Sequence, residues 1–486
     1  MKMASLAFDE ETIGHIAPAD VTGYRVATKS IITGLLDDSQ VDQWFVAKTP
    51  YPHPKVTVVD DWRLHQWDVW FEASDPHWNG PSEIRARTGA QFPIVSQVHA
   101  VGYRSVLSGF LECLALFPSH PGDTLICPSK AAKRVVEAFF SWFEPRITFW
   151  RPPRLAVVSH GVDVPPVVPK AVARELLHIS KDELVVLFVG RLDPYDKADL
   201  FTTLLALTRL GETIPPWRLL IVGMGTAADV ESLMRAARAL GRAERVTVLR
   251  DADFTSRDIA YRAADVFVSL SHTVQETFGL TVAEAMTSGL PVVATAWDGY
   301  HDLVQDGVEG YLVPCNILAR EWDWAQNFDE FTHLWSEAVL IDVDRLEAVL
   351  SKVLSQAEVR VRLSANAQMR ARDLTRDAHI GRIKKVLLDA REQSSSVSQG
   401  PLPTVASPKL SSIFREQTGE GACIDGPVTV EIADPDRLSI VASTVPRADA
   451  MQCAEVLAEF RKGRTNFELT RAVRLLLKRG FLRLHA

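Results

Sequence analysis

From Ala4 to about residue 390 the chain alternates short, continuously apolar runs with amphipathic stretches. The runs include Ala4–Phe8, Asp68–Glu72, Pro93–Val98, Thr124–Ile126, Leu155–Val158, Leu184–Val189, Arg218–Val222, Val246–Leu249, Val266–Leu270 and Pro291–Ala294. Between them Val26–Leu36, Lys130–Trp142, Leu200–Leu210 and Ala227–Leu240 repeat apolar residues at helical spacing. Strands that are apolar at every position, separated by helices, predict parallel sheets covered on both faces. One such sheet rarely needs 390 residues, so two doubly wound α/β domains are expected.

Two breaks divide the chain. Residues 150–169 combine a strand-like run with a proline-rich exit, which suits a hinge because proline fixes φ and removes a donor. Residues 392–408 (EQSSSVSQGPLPTVASP) read as a linker rich in Ser, Pro and Gly. The expected units are 1–155, 156–392, a linker 393–408 and an accessory unit 409–486. The last holds strand-like runs at Val428–Ile432 and Leu438–Ala442, helical patterns at Met451–Arg461 and Asn466–Arg479, and a final apolar run at Phe481–Leu484.

Composition narrows the function classes. With 47% hydrophobic and 23% charged residues, a wholly disordered chain is excluded. The 53 basic residues against 61 acidic ones argue against a nucleic-acid partner, since such binding rests on neutralising phosphates. The five cysteines are widely spaced with no C-x-x-C pair, which predicts a reduced protein without a zinc site. No apolar run approaches the ~20 residues that span a bilayer. Met1–Glu11 turns acidic where a secretion signal would continue its apolar core. The expected location is cytoplasmic, with peripheral membrane attachment as the alternative.

Chemistry concentrates in VQETFGLTVAEAMTSGLPVVAT, residues 274–295. Glu276 lies in the loop before a predicted helix and Glu284 within it. Phe278, Gly279 and Leu280 fall at the helix start, where unpaired N–H groups and the helix dipole favour anions. A second element is LFVGRLDPYDKADL, residues 187–200. A buried strand ends at Gly190, and Arg191 and Lys197 follow within one loop. Ligands of open α/β sheets bind at the carboxyl ends of strands, and two cations there can neutralise a diphosphate.

Glu276-x7-Glu284 with the following GLPVVA resembles the signature of glycosyltransferase family 4, retaining enzymes of the GT-B fold that use nucleotide sugars. Gly190-Arg191-x5-Lys197 is similar to that family's diphosphate-binding pair. LIVGMG (220–225), ADVFVSLS (264–271) and GVEGYLV (307–313) resemble its other motifs in the same order. The resemblance is strong over residues 156–375. Upstream, DVWFEAS (68–74), FPIVSQVH (92–99) and DTLICPS (123–129) are similar to the family's successive strands, with His99 where it places an active-site histidine. Two departures stand out. The opening loop has only Gly23 where the family has a glycine pair, and His160-Gly-Val-Asp163 replaces its Asn-Gly-Val-Asp.

The resemblance implies two facing Rossmann-like domains, with Arg191 and Lys197 on the donor diphosphate, helped by the amides of Phe278–Leu280. It implies Glu284 on the nucleotide ribose, Glu276 on the sugar hydroxyls and His99 near the donor sugar. The implied reaction moves a sugar from a nucleotide sugar, a UDP-sugar by family frequency, to an acceptor hydroxyl of a sugar, small metabolite, lipid or peptide. A GT-B phosphorylase or epimerase is the rival enzyme, and a non-catalytic nucleotide-sugar-binding scaffold is the rival outside enzymology. No cofactor or metal is expected. The D-x-D at Asp251–Asp253 is not read as a metal site, because Asp342–Asp344 and Asp434–Asp436 share its spacing.

Two further segments stay open. Trp322, Trp324, Phe328, Phe331 and Trp335 cluster in an insertion over Cys315–Ile341, read as core packing, an inter-domain contact or an acceptor-binding lip. From Glu455 to Ala486 eight basic residues face three acidic ones. That accessory unit is similar to small α+β winged-helix-like modules. Its basic face is either simply solvated or a contact for an acidic peptide, an anionic membrane surface or, as the least favoured reading, nucleic acid.

Overall fold

The computed structural model describes residues 1–8, 22–48, 53–59, 61–62, 65–101, 104–117, 119–146, 151–193, 197–273, 276–317, 339–395, 428–432, 450–467, 472–473, 476 and 482–484. Two all-parallel sheets carry the architecture. The first comprises β1 (Lys2–Ala7), β2 (Gln43–Lys48), β3 (Val56–Val58), β4 (Val69–Glu72), β5 (Ile94–Gln97), β6 (Thr124–Cys127) and β7 (Arg154–Val157), in the order β3-β2-β1-β4-β5-β6-β7. The second comprises β8 (Leu184–Val189), β9 (Trp217–Gly223), β10 (Val246–Arg250), β11 (Val266–Ser269), β12 (Val292–Thr295) and β13 (Gly310–Val313), in the order β10-β9-β8-β11-β12-β13. Strands β4, β5, β6, β11 and β12 are buried at every residue, which is why their sequences read as unbroken apolar runs. Strands β2 and β3 escape that pattern. They sit at the sheet's outer end, and β3 is half-exposed.

Several helices start where a side chain can satisfy a free backbone N–H. Ser129 accepts from the Ala132 amide at 2.9 Å before the helix Lys130–Phe143, and Asp199 caps Leu200–Leu210 through Phe201. Thr226 and Asp229 form a reciprocal capping box at the start of Ala227–Ala239. Asp253 accepts from the Ser256 amide at 2.7 Å and Asp342 from the Arg345 amide at 2.9 Å. The D-x-D pairs Asp251–Asp253 and Asp342–Asp344 thus each contribute a helix cap.

The chain crosses between the sheets twice, and the crossings pair with each other. The Val162 amide donates to Leu374 at 2.8 Å and the Arg376 amide to Val162 at 3.2 Å. A Cβ on Gly161 would lie 2.5 Å from the Thr375 carbonyl oxygen, so only glycine permits this approach. The helix Arg376–Ser395 then returns to the first sheet. Its Ile380, Ile383, Leu387 and Ala390 share a core with Ile31, Leu35 and Trp44. By packing it belongs to the first domain, although the sequence places it after the second. It runs to Ser395, three residues into the segment read as linker, because Ser394 Oγ docks on the Gln91 carbonyl at 2.8 Å.

A file of imidazoles lines this hinge. His160 stacks on His99 with ring centroids 5.5 Å apart, and lies 5.4 Å from His379. His379 donates its Nδ1–H to the Ser159 carbonyl at 2.7 Å, while its Nε2 and the Nδ1 of His160 are buried without a partner among the described residues. Burial holds His160 well below the usual imidazole range and lowers His379 to about 4.

Outside the two sheets, β14 (Cys315–Ile317) and β15 (Val339–Ile341) form an antiparallel pair at the base of the aromatic insertion. Its Trp322, Trp324, Phe328, Phe331 and Trp335 lie outside the described residues. In the accessory unit β16 (Val428–Ile432) runs between β17 (Asn466–Phe467) and β18 (Leu482–Leu484), with a helix at Ala450–Arg461. Asn466 and Phe467 are therefore strand rather than the start of a helix, because they pair with Thr429 and Val428. The strand-like run Leu438–Ala442 and the linker from residue 396 lie outside the described residues. No described helix is long and apolar enough to cross a membrane.

Two outcomes follow for stability. Leu387→Ala should destabilise the first domain by about 2–5 kcal/mol, the range for emptying a buried leucine site, read by urea denaturation. His379 is neutral in the folded chain down to pH about 4, whereas an unfolded imidazole takes up its proton near pH ~6.5. Its contribution therefore falls as pH drops from about 6.5 to about 4. His379→Asn removes this titration. Wild type should lose roughly 3 kcal/mol relative to the variant between pH ~7 and pH ~4, because each tenfold difference in proton affinity between the folded and unfolded chains is worth ~1.4 kcal/mol.

Candidate functional site

Strand order reverses between β1 and β4 in the first sheet and between β8 and β11 in the second. Loops diverge at such switch points and leave a crevice at the carboxyl ends. The two crevices open onto one cleft of about 490 Å³, a volume suited to a small-molecule ligand. Every residue singled out from the sequence, His99, Gly190, Arg191, Lys197, Glu276, Phe278, Gly279, Leu280 and Glu284, lines it.

The second domain supplies most of the charge. Lys197 follows β8, Glu276 follows β11, and the two form an ion pair. Tyr300, buried on the short helix Tyr300–Leu303, donates to Glu276 Oε2 at 3.3 Å and is within 2.7 Å of Ser269 Oγ. Asp298 adds a second acid beside Glu276. Burial, reinforced by the Glu276 charge, pushes its carboxyl up to about 8 against the opposing pull of Arg134. Glu276 thus meets the cation of Lys197 and, in Asp298, an acid that burial biases toward its neutral form.

The helix Leu280–Thr287 aims its N-terminus into the cleft. Gly279, at φ +106°, sets the turn that exposes it, and a Cβ there would lie 2.5 Å from the Tyr300 ring. Residues Thr277 to Thr281 line the cleft in succession, so this segment offers backbone amides to an anion. One turn on, Glu284 is buried at 6% exposure. Its Oε2 accepts from Tyr261 at 2.8 Å, and its Oε1 lies 3.2 Å from the Arg257 guanidinium. Burial raises this carboxyl, and the Arg257 charge and the Tyr261 hydroxyl pull it back down.

The first domain contributes His99 after β5. Its Nε2–H donates to the Ala73 carbonyl at 2.8 Å, so in the neutral ring Nδ1 is the acceptor. Its backbone N–H donates to Asp75 at 3.0 Å, and Tyr24 packs edge-on at 4.9 Å. Thr277 Oγ1 donates to the His99 carbonyl at 2.7 Å, a bond that ties the two halves of the site together. His160, the departure from the family's asparagine, packs its ring between His99 and Phe278 at the cleft floor.

Sequence reasoning passed over Arg257, Tyr261, Asp298, Tyr300 and Asp75. A signal for the first pair existed. Arg257 and Tyr261 are four apart on the helix Phe254–Ala263 and so share one face. Asp298 carries no such signal, since its place is set by a backbone turn at φ +40°.

Residues 170–338 match the family model described as glycosyl transferases group 1. A D-inositol 3-phosphate glycosyltransferase of Mycobacteroides abscessus is 38% identical over 184 residues, covering 37% of this chain and 39% of that protein. The Mycobacterium tuberculosis protein of the same name is 34% identical over 188 residues, with 38% and 37% covered. The chain thus spans less than half the length of these curated relatives. Among solved structures, sucrose-phosphate synthase of Thermosynechococcus elongatus superposes with a TM-score of 0.55 at 18% identity, covering 80% of this chain and 100% of that one. Anabaena HepE, solved with UDP-glucose, gives 0.55 at 17% identity over 80% and 99%. Two parallel sheets facing across one cleft give the chain a GT-B fold, and residues 170–338, which hold the whole second sheet, are similar to the glycosyl transferases group 1 family.

Proposed function

We propose that the chain transfers a sugar from a nucleotide-sugar donor to an acceptor hydroxyl with retention at the anomeric carbon. The observation that carries this reading is the convergence of Arg191, Lys197 and an exposed helix N-terminus on one side of the cleft, with His99 across it. Departure of a nucleoside diphosphate builds negative charge on phosphate and oxocarbenium character on the sugar. Fixed cations and amides aimed at that charge stabilise the transition state more than the ground state. Lys197 shares its charge between Glu276 and the leaving phosphate, and Glu276 accepts hydrogen bonds from the sugar. Glu284 receives the ribose hydroxyls. The Nδ1 lone pair of His99 accepts a hydrogen bond from a hydroxyl of the donor sugar, and an oxygen of the departing diphosphate takes the acceptor proton as the new glycosidic bond forms.

A UDP-sugar is the favoured donor, supported by the family frequency of such donors and by the UDP-glucose held in Anabaena HepE. A sugar or polyol acceptor is supported by the inositol phosphate in the curated relatives' name. Charge compensation by Arg191 and Lys197 makes a divalent metal unnecessary in this reading.

Thermal-shift titration with UDP-, GDP-, ADP- and dTDP-sugars should identify one donor that raises the melting temperature by mass action. With that donor, Lys197→Ala should lower kcat/KM by roughly 10²–10³-fold, the cost of losing one electrostatic stabiliser. Glu284→Ala should raise the donor Kd at least tenfold by the same measurement. Wild-type rates in both variants would refute the assignment. NMR of the product should show the donor's anomeric configuration, and turnover should persist in EDTA. Product formed without any acceptor would favour a phosphorylase or epimerase, and binding without turnover a scaffold.

A further inference from the structure

The donor side of the cleft holds a cation that the reaction outlined above does not use. Arg257 stands on the helix Phe254–Ala263 and lines the cleft beside Glu284. Its side chain is 19% exposed, its guanidinium lies 4.8 Å from the centre of the Phe254 ring, and one terminal nitrogen is 3.2 Å from Glu284 Oε1. Its Nε is buried with no partner among the described residues. Four residues on, Tyr261 donates to the other Glu284 oxygen at 2.8 Å. Each carboxylate oxygen is therefore engaged once, and a carboxylate has about four acceptor positions. One acceptor position per oxygen remains, which is what two neighbouring hydroxyls of a ribose require.

That arrangement works only if Glu284 is ionised. A carboxyl buried to this degree favours its neutral form, and a neutral carboxyl turns one acceptor oxygen into a donor. The charged and titratable groups facing Glu284 are Arg257, Tyr261 and Asp258 on the helix Phe254–Ala263, and Asp163 on the hinge segment. The two aspartates oppose ionisation, so Arg257 is the cation that sustains it. We propose that Arg257 is a positioning residue for the donor nucleotide, holding Glu284 charged and oriented so that it accepts from both ribose hydroxyls. This rests on the reading of the cleft as a nucleotide-sugar site and adds to it the source of diol selectivity.

The test compares UDP with 2′,3′-dideoxy-UDP by calorimetry from pH 6 to pH 9, in wild type and in Arg257→Met. The ratio of the two Kd values cancels any titration of the phosphates themselves. Wild type should prefer UDP by at least tenfold throughout the range. Arg257→Met should lose that preference at pH 6 and regain it as pH rises, because Glu284 ionises only then. Arg257→Lys should restore a flat profile. Tyr261→Phe, which removes one hydroxyl and keeps the packing, should show the same trend more weakly and serves if Arg257→Met does not fold. An Arg257→Met protein that keeps the preference at every pH, or loses affinity equally for both nucleotides at every pH, would overturn the proposal by assigning Arg257 a packing role. Failure of wild type to bind any of UDP, GDP, ADP and dTDP would instead remove the nucleotide-sugar reading on which it stands.

Discussion

The pairing of the two chain crossings at Val162 and Leu374–Arg376 is the contact on which the rest of the structure depends. The crossings, joined through Gly161 and flanked by His160 and His379, set which edges of the sheets face each other. Because both sheets are parallel, each presents all its strand carboxyl ends on one side, and the hinge turns those two sides together. The return of Arg376–Ser395 to the first core makes the hinge a double strand of chain, which resists twisting far better than a single linker.

Within that frame, the charges are managed by pairing rather than by water. Lys197 and Glu276 are 13% and 11% exposed, Arg257 and Glu284 19% and 8%. Pairs this sheltered repay their desolvation only with further hydrogen bonds, and Tyr300 and Tyr261 donate them. Each glutamate of the pair eight residues apart thus has its own cation and its own tyrosine. The two assemblies divide the cleft, with Glu276 at the inter-domain edge near Thr277 and His99, and Glu284 one helical turn deeper.

Much of this was legible in the sequence. Strands buried on both faces announce themselves as apolar runs, and the second sheet shows it, with β8 matching its run residue for residue. The candidate site was legible for the same reason, since its members follow strand ends at fixed spacing. Strands β2 and β3 were not legible, because Gln43 and Lys48 leave β2 only a short apolar centre and β3 is three residues long. The packing of Arg376–Ser395 was hidden because a helical pattern says which face is buried and not against what. Arg257 and Tyr261 were hidden for a related reason. Their meaning lies in Glu284, more than twenty residues away, and only the sheet brings the two helices together.

The pair β14–β15 has a consequence for how such chains vary. Cys315 lies opposite Ile341 and Ile317 opposite Val339, so the segment between leaves and returns through neighbouring positions. The entropy of closing that loop is met by the strand pair, and it grows only slowly with loop length. Sequence can therefore accumulate between residues 317 and 339 without strain on β13 or on the helix Val343–Ser355 that follows. The strand pair thus lets the length of the intervening sequence vary over generations while its two ends stay where they are.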